Sequence, residues 1–363
     1  MHPYVHHHPR RRHLPGSPPT SRLLHLLRTV IGVALLGVAV MGYASSSPAA
    51  AQDDAALWAA LVKTKGYVVG SPLASSGLHR FDGDTTWSHV GWNIPRVSGI
   101  SSDPHDSDVV FLAAGNGVLR TLDGGATWTL VTGWEVTEAQ DISVDPHAPE
   151  NVYVATAYGV WHTSDAGDHW VETTASLPEK YTQAVAVDRT QRGRVLIGTW
   201  GGLYVSDDAG KSWNLAAADG TPVLDIKQSM TESDTWIAAT HDHGVMLSDD
   251  GGRTWRVADA VPDEHSVLAV AVDPFDATTM AAGGWGGVFL STDGGRRWDR
   301  RTEGLPVSET YEVVFDANEP GRLWAAPVES GMYYSDDAGT TWQYAGLNGA
   351  LVFDMTFIQP TPE

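Results

Sequence analysis

The stretch Ser248-Asp249-Asp250-Gly251-Gly252-Arg253-Thr254-Trp255, SDDGGRTW, decides the fold. Alone it resembles a small ligand loop, with carboxylates for a cation and paired glycines for a phosphate. It is not alone. FDGDTTW (81–87), TLDGGATW (121–128), TSDAGDHW (163–170), SDDAGKSW (206–213), STDGGRRW (291–298) and SDDAGTTW (335–342) are variants of it. Their tryptophans fall at 87, 128, 170, 213, 255, 298 and 342, a period of 41 to 44 residues. Repeats of that length mark solenoids or propellers.

One unit reads QDISVDP (140–146), NVYVAT (151–156), AYG (157–159) and VWHTSDAGDHW (160–170). Apolar residues alternate at Ile142 and Val144, then at Val152 and Val154, the period-two signature of strands. Each unit is therefore four short antiparallel strands, one propeller blade, with the repeated box between its third and fourth strands. LVFDMTFIQP (351–360) repeats the innermost-strand pattern of AVAVDP (269–274) with no blade after it. The segment 66–87 supplies three strands and lacks the inner one, so the two chain ends are expected to share a blade and remove exposed edges. The fold class is all-β, a single seven-bladed ring over residues 66–358, with 52–65 as a linker and 359–363 as a tail.

Within the box, Asp250 is placed to accept hydrogen bonds from amides of its own turn. Gly252 can adopt the positive φ that reverses the chain, and Trp255 offers an apolar plate beside the turn. A calcium loop needs carboxylates at alternate positions and a distant Glu. A phosphate loop needs a following helix and a Lys. Neither is present. Asp82, Asp123, Asp165, Asp208, Asp250, Asp293 and Asp337 are accordingly read as structural, and no metal site is assigned to them.

The seven boxes over residues 66–358 resemble the Asp-box (BNR) repeat propellers. That group includes sialidases, xyloglucan-cleaving glycosidases, sortilin-type receptor domains and photosystem II assembly and stability factors. A single seven-bladed ring behind a signal is most similar in organisation to the last. The resemblance implies that the boxes lie on the rim, away from the ligand face. Arg80 and Asp84 depart from the pattern in the first copy, and His169 and Arg297 replace the Thr in two others.

The N-terminus has a different character. Residues 1–28 carry five Arg and no acid, and TVIGVALLGVAVMGYA (29–44) is apolar, followed by small residues up to Ala51. This is the layout of a secretory signal peptide over residues 1–51, cleaved before Gln52; a span would need about 20 apolar residues. The expected location is outside the cytoplasm, secreted or in the cell envelope, with no membrane insertion after cleavage. Removing residues 1–51 leaves 18 Lys and Arg against 44 Asp and Glu, a net charge of −26. Such a surface repels nucleic acid and argues for a monomer kept soluble by charge. The absence of Cys means that an exported fold rests on packing alone.

The face opposite the boxes holds the turns between second and third strands and the links between blades. Trp92, Trp134, Tyr158, Trp200, His241, Asp242, His243, His265, Trp285 and Tyr311 map there, suited to stacking sugars or receiving a peptide. At the start of the inner strands, Asp141, Asp225, Glu312 and Asp354 occupy one repeat position while other blades have Gly99, Ala184 and Ala269. These four either ring the channel mouth and hold a cation or basic peptide, or accept hydrogen bonds from backbone amides. No other cofactor is indicated.

For glycoside hydrolysis two carboxyl groups must flank the scissile bond, and Glu135, Asp141, Glu309 and Glu312 are the candidates. The three-arginine cluster of sialidases is missing, since only Arg96 maps near this face. Xyloglucan-cleaving relatives place their cleft between two propellers. The expected function is a noncatalytic propeller binding a protein or peptide partner. The alternative is a carbohydrate-binding or glycoside-hydrolysing propeller.

Overall fold

The computed structural model describes residues 54–64, 76–258, 266–306 and 308–361. The expected signal peptide lies outside these residues, as does His265. The described residues form seven four-stranded antiparallel sheets. Blade 1 contains Ala350–Ile358, Ala56–Lys63, Gly77–Gly83 and Thr86–Val90, from the channel outward. Blades 2 to 7 follow in chain order. Their inner strands are Val97–Asp103, Ala139–Val144, Thr182–Val187, Val223–Gln228, Val267–Val272 and Thr310–Phe315.

The apolar core is divided into seven clusters, one per blade interface. Between blades 5 and 6, for example, Ile237, Val245 and Leu247 meet Val270, Met280 and Phe289. The second strands of blades 3 to 7 are buried along their whole length on both faces, which a lone blade could not achieve.

Blade 1 corrects the expected boundaries. Residues 52–65 were expected to be a linker, and 66–87 to hold three strands. Instead Ala56–Lys63 is a strand, running antiparallel to the last one from Ala56↔Ile358 to Lys63↔Ala350. Its sequence, ALWAALVK, hides the strand because both faces are apolar: Trp58 and Ala60 pack toward blade 2, while Leu57, Ala59 and Leu61 pack toward blade 7. Alternation is visible only where one face meets water. The tail is tied down too, since the Ser107 amide donates to Thr361 Oγ1 at 2.8 Å and the Thr361 amide donates back to Ser107 Oγ at 3.1 Å.

Six boxes share one hydrogen-bonding scheme. In SDDGGRTW, Ser248 Oγ donates to Asp250 Oδ1 (2.9 Å) and accepts from the Gly252 amide (3.0 Å). Asp250 also accepts from the amides of Arg253 and Thr254 and from Thr254 Oγ1 (2.6 Å). The residue after the Asp is left-handed even where it is alanine, at Ala166, Ala209 and Ala338. Indole N–H groups of Trp170, Trp213 and Trp342 donate to carbonyls of the preceding blade at Val131, Thr173 and Arg301 and so bond blade to blade, whereas those of Trp128 and Trp255 donate within their own turns.

The first copy differs. Asp82 accepts from Arg80 and Ser88 rather than from turn amides, because Arg80 stands where the other boxes have Ser or Thr. Asp82 is thus an ordinary hairpin residue and not a box aspartate.

Candidate functional site

The box turns pack on the turns joining first and second strands: amides of Gly124, Ala166, Ala209, Gly251 and Gly294 donate to Asp108, Glu150, Gly193, Asp234 and Thr278. On the opposite face, amides of Ala157, Trp200, His241 and Trp285 donate to Glu138, Tyr181, Pro222 and Ser266 on the links between blades. Trp200, His241 and Trp285 therefore occupy one repeat position, whereas Tyr158 stands one residue further along its turn. The box side is closed by its own bonds and exposes Phe275, and the other side carries most of the accessible aromatics.

Those aromatics are spread over the face. Trp134 keeps 90% of its surface and Trp92 60%, while Trp200, Trp285 and Tyr158 are about half exposed. Tyr181 lies 4.8 Å from the Trp200 ring, and the Tyr158 hydroxyl donates to Glu138 at 3.0 Å. His241 pairs with Asp242 (2.7 Å) and His243 faces Thr221 (3.1 Å), so the turn is internally satisfied. No group of three or more His, Cys, Asp or Glu spaced to hold a metal occurs among the described residues.

The face converges on the channel. Each inner strand carries a β-bulge near its start, where pairing with the second strand slips by one residue. A bulge re-aims its extra side chain. The seven extra residues are Phe353, Ser98, Gln140, Gln183, Leu224, Leu268 and Tyr311, in ring order, and all line one cavity of about 170 Å³ at the channel mouth. Ser98, Gln140 and Gln183 form a polar arc. Leu224, Leu268, Tyr311 and Phe353 form an apolar one. Arg96 bridges the two, donating to Gln140 Oε1 (2.9 Å) and lying 5.5 Å from the Phe353 ring centre.

Beneath this collar lie Asp141, Asp225, Glu312 and Asp354, brought together as their common repeat position requires. Inner strands have a free edge toward the channel, and unpaired amides there need acceptors. Asp141 accepts from Ile142 (2.8 Å) and Val185 (2.9 Å), and Asp225 from Ile226 (2.8 Å) and Val270 (2.9 Å). Asp354 takes the amides of Ile100 (2.6 Å) and Met355. Glu312 takes Val313 alone. Each aspartate thus caps its own strand and the next, and the intervening blades carry small residues. At Gly99 an added Cβ would come within 3.0 Å of Asp141. Seven is odd, so one carboxylate must serve a single amide, and it is Glu312. Of the two readings open to these residues, amide capping is the one that the geometry displays.

Lys227, two residues past Asp225, was not picked out from the sequence. Its ammonium lies 3.0 Å from Asp225 Oδ1. Burial alone would lower its pKa, but Asp225, Glu312, Asp354 and Asp141 together raise it well above normal. One ammonium does not balance four acids. Burial, reinforced by the Asp354 charge, pushes Asp141 up to about 7 against the pull of Lys227, and burial raises Glu312 and Asp354 as well. Lys227 was legible only by comparing blades, since the equivalent position elsewhere is Ser101, Ser143, Ala186, Ala271, Val314 or Thr356. The hydrolase candidates are dispersed: Asp141 and Glu312 sit in the channel ring, whereas Glu135 is exposed on a link and accepts from Gly133 of its own loop. Glu309 lies half-buried on the link before the blade 7 inner strand.

A closed ring of seven blades, stapled by Asp-boxes on one side and carrying most of its accessible aromatics on the other, defines a seven-bladed Asp-box β-propeller. The family model of photosynthesis system II assembly factor YCF48 matches residues 97–230, and that of the BNR/Asp-box repeat matches 333–344. No curated protein matches the chain. YCF48 from Cyanidioschyzon merolae shares the fold with 19% identity and a TM-score of 0.55, over 68% of this chain and 84% of that one. A structure of YCF48 bound to D1 peptide gives 17% identity and a TM-score of 0.53, over 68% and 81%. The GH74 enzyme of Niastella koreensis gives 17% identity and a TM-score of 0.64 over 75% of this chain. The chain spans about half (51%) of that enzyme's length.

Proposed function

We propose that the protein is an extracytoplasmic, noncatalytic propeller that binds a peptide segment of a protein partner over the channel mouth, on the face opposite the Asp-boxes. The collar of seven bulge residues carries this reading. It offers one polar and one apolar arc around a cavity, while the aspartates beneath are committed to amides and not free for acid–base work. The match to the YCF48 family model supports it, as does the existence of a YCF48 structure with a bound D1 peptide.

The test is a peptide array assayed against the protein and against Tyr311→Ala, beside a glycosidase-substrate screen. Peptide binding that Tyr311→Ala weakens at least tenfold, with no turnover, is expected. Turnover abolished by Glu135→Gln or Glu312→Gln would overturn it. N-terminal sequencing of the exported protein should begin at Gln52.

A second reading is glycan binding, favoured by the exposed Trp92, Trp134, Trp200 and Trp285. It predicts glycan binding that is lost on changing these to Ala and unaffected at Tyr311.

A further inference from the structure

The propeller channel contains more acid than its own cation neutralises, and the excess is open to the collar. Glu312 keeps only 7% of its surface, lines the cavity, and has no hydrogen bond among the described residues beyond the Val313 amide. Its carboxyl otherwise meets only one attractive charge, that of Lys227, which is bonded to Asp225 instead. Gln183, across the cavity, likewise makes no side-chain hydrogen bond among the described residues and is half-buried. Above Glu312 stand Leu224, Leu268, Tyr311 and Phe353, an apolar wall whose one neighbouring charge is Arg96, over the Phe353 ring.

Three features restrict what fits. The cavity, about 170 Å³, is close to the roughly 150 Å³ that holds a benzene ring, so it accepts one side chain and not a folded element. Its wall suits a hydrocarbon stem. Its floor suits a donor that is positively charged, because Asp141, Asp225, Glu312 and Asp354 outnumber Lys227. Long aliphatic stems with a charged tip combine these properties. An incoming carboxylate would meet four acids, and a purely apolar group would leave Glu312 unpaired in a closed site.

Resting on the peptide-binding reading above, we infer that the collar receives a primary alkylammonium group, its stem against Leu224 and Leu268 and its nitrogen on Glu312. The preferred source is a lysine side chain projecting from the partner segment. Charged and titratable groups facing this position are Asp141, Asp225, Lys227, Asp354, Tyr311 and Arg96. The two ammonium groups, Lys227 and the ligand's, share the four carboxylates. Binding therefore displaces protons held on Asp141 and Glu312, and it strengthens as pH rises through about 7.

Calorimetric titration of the full protein with N-acetyl-lysine methylamide and with n-pentylamine, each at pH 6 and pH 8, tests this. The Nε-acetylated lysine derivative serves as the uncharged control. Both amines are expected to bind at least tenfold more tightly than the control. Affinity should rise at least threefold from pH 6 to 8, and heats in two buffers should report proton release. Tighter binding of the lysine derivative assigns a peptide-borne source, and tighter pentylamine a free amine. Glu312→Gln and Leu268→Trp should each weaken binding at least tenfold. Gln183→Phe blocks the opposite arc and replaces Leu268→Trp if that variant does not fold. Equal binding of the acetylated control, indifference to the blocking variants, or weaker binding at higher pH would overturn the inference. A peptide that binds Leu268→Trp as it binds wild type but loses affinity for Tyr311→Ala would leave the peptide-binding reading standing while removing this one. Amine binding without any peptide binding would do the reverse.

Discussion

Two rings of carboxylates are built on the same blade repeat, one in six blades and the other in four, and behave in opposite ways. The box aspartates lie at the rim, and their own turns satisfy them: hydrogen bonds from His169 pull Asp165 down to about 2, and those from Ser212 do the same for Asp208. The channel carboxylates are enclosed beneath the collar, and burial pushes Asp141, Glu312 and Asp354 upward. A repeated group that closes its bonds within its own turn holds the fold. A repeated group that seven-fold parity leaves incomplete has capacity for something else.

Breaking the comparison at its strongest point should cost most. Asp225→Ala uncaps the Ile226 and Val270 amides and removes the closest partner of Lys227, so a loss of about 4 kcal/mol in urea unfolding is expected. The two rings should next separate by pH. Asp141 titrates above its unfolded value of 3.8 and binds more protons folded, so its contribution to stability falls as pH rises from about 4 to about 7. That loss is at most about 4 kcal/mol, and Asp141→Asn should flatten it. Asp165 and Asp208 titrate below 3.8, so their contributions are present above that pH and lost as it falls toward 2. Urea midpoints across pH 2 to 8 check both limbs.

Asp250→Ala removes one turn's acceptor at a half-buried site and should cost about 1–2 kcal/mol, leaving channel binding unchanged. Ala209→Gly relieves a left-handed alanine (φ 59°) and should raise stability by about 0.5 kcal/mol in the same assay. His169→Thr restores the residue type used by half of the six boxes, and no measurable change in thermal midpoint is expected.

The ring was legible because its signal repeats. SDDGGRTW and its relatives gave the blade count, the face to set aside and the shared closing blade. The strand Ala56–Lys63 was not legible, since burial on both faces erased its alternation and the sequence before it is rich in small and apolar residues. Arg80 marked the loss of the box at Asp82, but the surrounding letters still fit and kept Asp82 among the box aspartates. At the site, the common position of Asp141, Asp225, Glu312 and Asp354 was visible, but their division of labour was not. It depends on which amides lie opposite, and on an odd number of blades. Lys227 and the bulge residues were missed for a related reason. A bulge shifts one side chain out of alternation without leaving a mark in composition, so Gln140, Gln183, Leu224 and Leu268 read as ordinary strand residues.

The most direct measurement of the division between rim and channel is peptide affinity for two variants, Leu268→Trp in the collar and Asp208→Ala in a box, compared with wild type. The collar variant should lose at least tenfold in affinity with its unfolding midpoint retained, and the box variant should lose stability while binding as wild type does. Loss of binding in the box variant with the collar variant unaffected would contradict the assignment of function to the channel face.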